Sequence, residues 1–226
     1  MVLYIVATPI GNLGDISFRA IEAMRASGCI VCEDTRVSLK LLNKFGIRKP
    51  LLTCRDDNEN HVLEKILDIL HGGESVCLIS DAGTPCVSDP GFRLVRACRR
   101  QGLEVEAIPG PCAAIAALSV SGLPTDGFLF VGFLPSKASA RVNFFKEYIN
   151  FEYTIIFYES CHRITKFLDD AHGVFGPERV VCIAKELTKI HGTIFVDKLS
   201  TVREKMAKIP AKGEFVAIVA PSRFVL

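Results

Sequence analysis

The chain has 226 residues, 49% hydrophobic and 23% charged, an ordinary globular composition that excludes intrinsic disorder and collagen-like or low-complexity fibres. Mean hydropathy is +0.31, yet no apolar run approaches the roughly 18 residues of a membrane span. Twenty-seven basic and 25 acidic side chains leave a net charge of +2, far from the basic excess that advertises a nucleic-acid binder.

Residues 1–11 have no basic leader before their short apolar stretch, so no signal peptide is expected and the protein is read as cytoplasmic. Nine cysteines, an odd number, argue against a secreted disulfide framework. Most sit in apolar runs such as Ile30-Val31-Cys32 and Val181-Cys182-Ile183, where they read as small hydrophobes. Cys29 and Cys32 form a CxxC, but no second pair or nearby His completes a zinc set, and no metal is expected.

The first half alternates strands and helices. Residues 3–7 form an apolar run ending at Thr8-Pro9 and predict a buried strand. A helical pattern follows through Ile16, Ala20, Ala23 and Met24, with Asp15 as its cap and Ser27-Gly28 as its end. Residues 29–32 predict a second strand, and Asp34-Thr35 opens a helix through Val37, Leu41 and Leu42 that stops at Gly46. A third strand is expected at 51–54, a helix at 62–70 closed by Gly72-Gly73, and a fourth strand at 75–80. Asp89-Pro90 supplies a cap and first-turn proline for a helix ending near Gly102. A fifth strand at 103–108 and an Ala-rich helix at 111–120 complete the series.

Repeated strand–helix units predict an α/β domain with a mainly parallel sheet covered on both faces. Gly122-Leu123-Pro124-Thr125-Asp126-Gly127 reads as a linker, dividing the chain into domains 1–121 and 122–226. Beyond it, strands are expected at 128–133, 154–158, 180–184, 193–197 and 214–220, with helices at 138–148, 162–171 and 201–207. The consecutive strands near 180–197 predict a hairpin and hence a mixed sheet. Residues 1–110 carry 13 basic and 14 acidic side chains, and the rest 14 and 11, an asymmetry too weak to indicate a partner.

Four predicted strand ends are rich in Pro, Gly and small polar residues: Thr8-Pro9-Ile10-Gly11-Asn12, Glu33-Asp34-Thr35-Arg36, Asp81-Ala82-Gly83-Thr84-Pro85 and Pro109-Gly110-Pro111-Cys112-Ala113. Each singly is compatible with a plain βα turn. In a parallel sheet all four leave from one edge, where such folds bind ligands. None is a GxGxxG or a P-loop, so nucleotide phosphates are not the obvious ligand.

These segments resemble the tetrapyrrole-methylase superfamily of S-adenosylmethionine-dependent methyltransferases, and within it the small-subunit (16S) ribosomal RNA cytidine 2′-O-methyltransferases. The matching runs are Val6-Ala-Thr-Pro-Ile-Gly-Asn-Leu13, Cys32-Glu-Asp-Thr-Arg36, Ser80-Asp-Ala-Gly-Thr-Pro85 and Ser88-Asp-Pro-Gly91. They continue with Pro109-Gly-Pro111, Leu118-Ser-Val-Ser-Gly-Leu-Pro-Thr-Asp126, Phe157-Tyr-Glu-Ser160 and Lys185-Glu-Leu-Thr-Lys189, in order along almost the whole chain. The resemblance implies two α/β domains with the methyl donor in the cleft between them, a homodimer, and small-subunit ribosomal RNA as partner, with no membrane involved. Its donor contacts fall on Pro9, Ile10, Ala82, Gly83, Thr84, Val87, Ser88, Cys112, Ala113, Tyr158 and Leu187, and Asp81 shapes that loop or the donor pocket.

The chain departs from the family pattern in four places. Cys112 replaces a small hydroxyl residue, and Arg55-Asp56-Asp57-Asn58-Glu59 stands where relatives have a His-rich acidic stretch. Gly192 follows His191 where an acidic residue is common, and the sequence ends just after the last predicted strand, where many relatives carry an extension thought to help hold RNA.

A ribose hydroxyl is a weak nucleophile that benefits from a general base. Asp34 is the candidate, with Glu33 and Asp81 as others, and an N-cap is the equally available role for Asp34. Arg36 is placed to pair with RNA phosphate or to fix that carboxylate. Lys189 and Arg163 are further phosphate candidates, and His162 and His191 lie near these segments with structural roles expected. Methylation of a tetrapyrrole or a protein residue, and a donor-binding module without activity, stay open as alternatives.

Overall fold

A computed structural model describes residues 1–55 and 58–226, and the backbone alone at 60 and 61. Two compact units divide the chain, Met1–Cys112 and Ala113–Leu226.

The first unit is built on five parallel strands: β1 (Val2–Val6), β2 (Cys29–Cys32), β3 (Leu51–Thr53), β4 (Val76–Ile79) and β5 (Glu104–Ile108). Their order is β3-β2-β4-β1-β5, and every pairing is parallel. Every residue of β2 and β4 is buried, as strands covered on both faces require. Four helices connect them: α1 (Phe18–Ala26), α2 (Thr35–Lys44), α3 (Glu59–His71) and α4 (Phe92–Arg100). Strand alternation gives the sheet two apolar faces. Leu3, Val31 and Leu78 meet Ile66 and Leu70 of α3 and Leu94 of α4 on one, and Val6, Ile30, Cys77 and Ile79 meet Met24 and Leu42 on the other.

Two helix starts differ from the sequence reading. Asp15 closes a 3₁₀ turn, Leu13–Asp15, and Ser17 caps α1, its Oγ accepting the Ala20 N–H at 3.1 Å. The short turn absorbs Asp15 because the Asn12 side chain accepts the Gly14 N–H at 2.9 Å and nucleates it. Asp89-Pro90 also precedes the helix it was expected to cap, since α4 begins after Gly91, which has no capping side chain. The cap comes instead from α3, where the buried Glu59 carboxylate accepts the Arg93 N–H at 3.0 Å. Asp56 and Asp57 of the stretch singled out above lie outside the described residues.

The second unit opens with α5 (Ala113–Val120). Its strands are β6 (Phe128–Phe133), β7 (Thr154–Ser160), β8 (Val180–Lys185), β9 (Thr193–Lys198) and β10 (Glu214–Val219), and its other helices α6 (Ala138–Glu147), α7 (Ile164–Phe175) and α8 (Leu199–Ala207). The strand order is β6-β7-β10-β8-β9. Only β6 and β7 pair in parallel, and β8–β9 form the expected antiparallel hairpin. The core is aromatic: Phe145 of α6 is fully buried, with ring centroids 5.4 Å from Phe167, 5.1 Å from Phe175 and 6.0 Å from Phe157. The buried Arg141 adds a polar tie from α6 to α7, its Nε donating to Asp170 Oδ2 at 2.7 Å. Truncating Phe145 removes the ring that three others pack against. Phe145→Ala is expected to lower unfolding free energy by about 3–5 kcal/mol, measured by chemical denaturation, and a loss below about 1 kcal/mol would contradict this account of the core.

Candidate functional site

Four chain exits leave the carboxyl edge of the first sheet, after β1, β2, β4 and β5, as their sequences predict. They are bonded into one platform. Thr8 and Gly83 exchange backbone hydrogen bonds, Thr8 N–H to Gly83 O at 2.8 Å and Gly83 N–H to Thr8 O at 3.0 Å, which ties the β1 and β4 loops. The Thr8 hydroxyl donates to Ser80 O at 3.1 Å, and the Ser80 hydroxyl to Gly83 O at 3.2 Å. Thr84 Oγ1 donates to Pro111 O at 3.2 Å and adds the β5 loop. Gly110 permits that loop's approach to β1, because a Cβ there would lie 3.0 Å from the Ala7 Cβ and 3.4 Å from the Ala7 carbonyl oxygen. The β2 loop joins through the Asp34 N–H, which donates to Asp81 Oδ1 at 3.2 Å.

Of the residues expected to hold a donor, Pro9 and Gly83 are buried, Ile10, Asp81, Thr84 and Cys112 half-buried, and Ala82, Val87 and Ser88 exposed. Cys86 and Ser88 have left-handed φ values of 69° and 64°, uncommon for residues with a Cβ and frequent where structure is held for a purpose.

The edge carries two unlike carboxylates. Asp34 caps α2, Oδ1 accepting the Arg36 N–H at 2.8 Å. The Arg36 guanidinium then grips both oxygens, with Nε 3.0 and 3.1 Å from Oδ1 and Oδ2 and Nη2 2.6 Å from Oδ2. Those bonds hold the Asp34 carboxyl down at about 2. Asp81 is pushed up, chiefly by burial and also by the Asp34 charge, against the hydrogen bond from the Asp34 N–H. Among the described residues its Oδ2 has no hydrogen-bond partner. Cys32 lies below, its thiol pushed up by burial, a hydrophobe rather than a nucleophile. No group of three or more His, Cys, Asp or Glu side chains is placed to hold a metal ion among the described residues.

In the second unit, Tyr158 on β7 points away from the aromatic core that its neighbour Phe157 enters. Its hydroxyl accepts the Ala114 N–H at 3.3 Å, at the start of the helix that Ala113 opens, and Phe130 and Phe133 flank the ring edge-on at 4.9 and 5.8 Å. Leu187 sits half-buried in the β8–β9 turn, between Glu186 and Thr188 with φ values of 52° and 64°. Glu186 Oε1 accepts the Glu214 N–H at 2.9 Å. Gly192 completes this turn, because a Cβ there would lie 2.7 Å from the Glu186 carbonyl oxygen, and an acidic side chain does not fit.

Two phosphate candidates have structural roles instead. Lys189 Nζ bonds Glu186 Oε1 at 2.7 Å and Glu214 Oε2 at 2.9 Å and staples its turn. Arg163 Nη2 donates to the carbonyls of Leu134 and Pro135 at 2.6 and 3.1 Å, with Nε 3.2 Å from Glu159 Oε1. His162 and His191 are exposed. The sequence reading missed Glu159, which is fully buried with Oε2 lacking a hydrogen-bond partner and its carboxyl pushed up by burial. The signal was present, since strand alternation sends Glu159 to the same side as Phe157.

Residues 2–203 match the family model described as Tetrapyrrole (Corrin/Porphyrin) Methylases. The chain is 50% identical over 219 residues to the Ribosomal RNA small subunit methyltransferase I of Xylella fastidiosa strain Temecula1, covering 96% of this chain and 80% of that protein. It is 47% identical over 220 residues to the protein of the same name from Haemophilus influenzae, covering 96% and 78%. A crystal structure of diphthine synthase superposes with a TM-score of 0.74 at 17% identity, covering 98% of this chain and 90% of that one, a likeness of fold.

Proposed function

The chain belongs to the tetrapyrrole methylase family, and on that premise we propose that it transfers the methyl group of S-adenosylmethionine to the ribose 2′-hydroxyl of a cytidine in small-subunit (16S) ribosomal RNA. The observation that carries this reading is identity near one half, over nearly the whole chain, with relatives named for methylation of that RNA. The loop edge supports it. A bound donor supplies an activated methyl on a positively charged sulfur, and the half-buried, negatively charged Asp81 suits a cationic neighbour. Pro9, Ile10, Asp81, Ala82, Gly83, Thr84, Val87, Ser88 and Cys112 are the proposed donor contacts of the first unit. Ala113, Tyr158 and Leu187 are those the resemblance marks in the second. Several would act through backbone groups, which makes Cys112 tolerable where relatives carry a hydroxyl.

Methyl transfer to a hydroxyl requires that the oxygen lose its proton as the new bond forms, and the protein's work is to align the oxygen and receive that proton. Asp34 was the sequence candidate, but both its oxygens are occupied by Arg36 and its carboxyl titrates at about 2. Asp81 suits the role better, with one oxygen open and a carboxyl made more basic by burial. We assign proton acceptance to Asp81. Asp34 and Arg36 act as positioning residues, because their ion pair fixes the backbone N–H that holds Asp81 Oδ1.

The reaction is proposed to need no metal, the enzyme to be a homodimer, and the site of action to be the cytoplasm, where ribosomes assemble. No helix among the described residues is long and apolar enough to cross a membrane.

Three outcomes are expected. Mass spectrometry of ribosomal RNA from cells with and without the gene shows one cytidine ribose methyl missing from the small subunit, and an unchanged map contradicts the reading. Light scattering at micromolar concentration gives twice the chain mass of 24.8 kDa, and a monomer contradicts the dimer. Asp81→Asn lowers kcat on small subunits on the order of 100-fold or more, whereas Asp34→Asn, which keeps the cap, costs less than about tenfold. In the parent enzyme kcat falls as pH drops through the raised Asp81 pKa, because only the ionised carboxylate accepts a proton. That acid limb disappears in Asp81→Asn. Folded variants showing the reverse order would return the role to Asp34.

A further inference from the structure

The first unit is nearly neutral as a whole, yet its charge is not evenly spread. Between Thr35 and Arg55 the sequence has six basic residues, Arg36, Lys40, Lys44, Arg48, Lys49 and Arg55, and no acidic one. Within residues 1–110 that leaves seven basic against fourteen acidic side chains elsewhere. Six of the thirteen basic side chains of residues 1–110 thus fall on one short stretch, three of them on α2.

On α2 the first three fall at i, i+4 and i+8, which puts them in one stripe along the helix with a rise of about 6 Å between steps. The opposite side, Ser38, Leu41 and Leu42, is buried against the sheet. The Arg36 side chain is 84% exposed, and Lys40 and Lys44 are exposed. Among the described residues neither lysine has an acidic partner. Arg36 holds Asp34 through Nε and Nη2 only, and its Nη1 has no hydrogen bond among the described residues. The stripe therefore begins at the residue whose ion pair borders Asp81 and runs away from the loop edge along an open helix face.

We propose that this face of α2 is the docking rail for the RNA backbone, with Arg36, Lys40 and Lys44 meeting consecutive phosphates of the strand that carries the target ribose. This rests on the RNA-methylating function proposed above and adds to it where the polymer lies. Charge complementarity selects the occupant. A row of three cations without intervening acids, two of them lysines with no acidic partner among the described residues, matches a phosphate chain, and the helical step is close to the reach from one phosphate to the next along a strand. Phosphate contacts position a strand without reading its sequence. A rail that starts beside the carboxylates would set which nucleotide reaches the platform, and the loops would choose among atoms of that nucleotide.

The test uses the full chain, S-adenosylmethionine and small ribosomal subunits isolated from cells lacking the gene. Lys40→Glu/Lys44→Glu should raise KM for subunits on the order of tenfold or more. It should also flatten the salt dependence of log kcat/KM by about 1.4, at roughly 0.7 for each of two lost single-strand phosphate contacts. The donor dissociation constant by calorimetry should stay within about twofold, since phosphate contacts are separate from the donor loops. Lys40→Arg/Lys44→Arg should restore KM, because the requirement is for charge.

Lys146→Glu/Lys166→Glu makes the same charge change on exposed positions of α6 and α7. It should leave KM and the salt slope near those of the parent, and an equal effect there would overturn the rail in favour of unspecific attraction. Unchanged KM and slope in the α2 variant would overturn it outright. So would a change of oligomeric state accompanying the loss, which would make the face a contact between copies. A parent enzyme that transfers no methyl to any subunit would remove the proposed function and the rail together, a result distinguishable from the others because it needs no variant.

Discussion

Parallel pairing of β2, β4, β1 and β5 is the constraint from which the site follows. Parallel strands release the chain at the same edge, and each return needs a helix. Four chain exits therefore stand side by side without any choice by the loops themselves. The reciprocal Thr8–Gly83 backbone bonds join neighbouring exits and the Thr84 bond to Pro111 reaches across to the next but one, making one surface of them. Loops fixed to one another in this way hold a reacting geometry more closely than independent turns could, which suits a transfer whose main demand is alignment.

The same edge separates two chemically similar residues. Asp34 and Asp81 are bridged by a single backbone hydrogen bond, but one carboxylate is saturated by a guanidinium and the other is half-buried with an open oxygen. Environment alone gives them different proton affinities. The Arg36 pair thus has a second consequence beyond capping α2. By keeping Asp34 ionised beside Asp81 it adds to the upward push on Asp81, and by anchoring the Asp34 backbone it sets where Asp81 points.

Much of this was legible in the residues. Continuous apolar runs such as Cys29–Cys32 and short helical patterns between them specified the parallel sheet, and the hairpin near 180–197 specified the mixed one. The four loops stood out by composition. Helix starts were less legible because caps can come from afar. Glu59, on α3, caps α4 across 34 residues, and no local pattern at Asp89-Pro90 reveals that. The roles of Lys189 and Arg163 were also hidden, since their partners at Glu214 and Leu134 lie 25 and 29 residues away. The choice between Asp34 and Asp81 required knowing that Arg36 folds back two residues to take both oxygens. The basic stripe on α2 was readable from its four-residue spacing, but a near-zero sum over the first 110 residues concealed it.

On the proposed reading, the bonded loop edge of the first sheet receives the methyl donor with Asp81 beside the reacting centre. A crystal structure of the full chain with S-adenosylhomocysteine, the demethylated product, tests it most directly. The ligand is expected against the backbone of residues 8–12, 81–85 and 109–112, with its sulfur on the Asp81 side of the edge. A ligand bound away from these loops, or with its sulfur remote from Asp81, would contradict it.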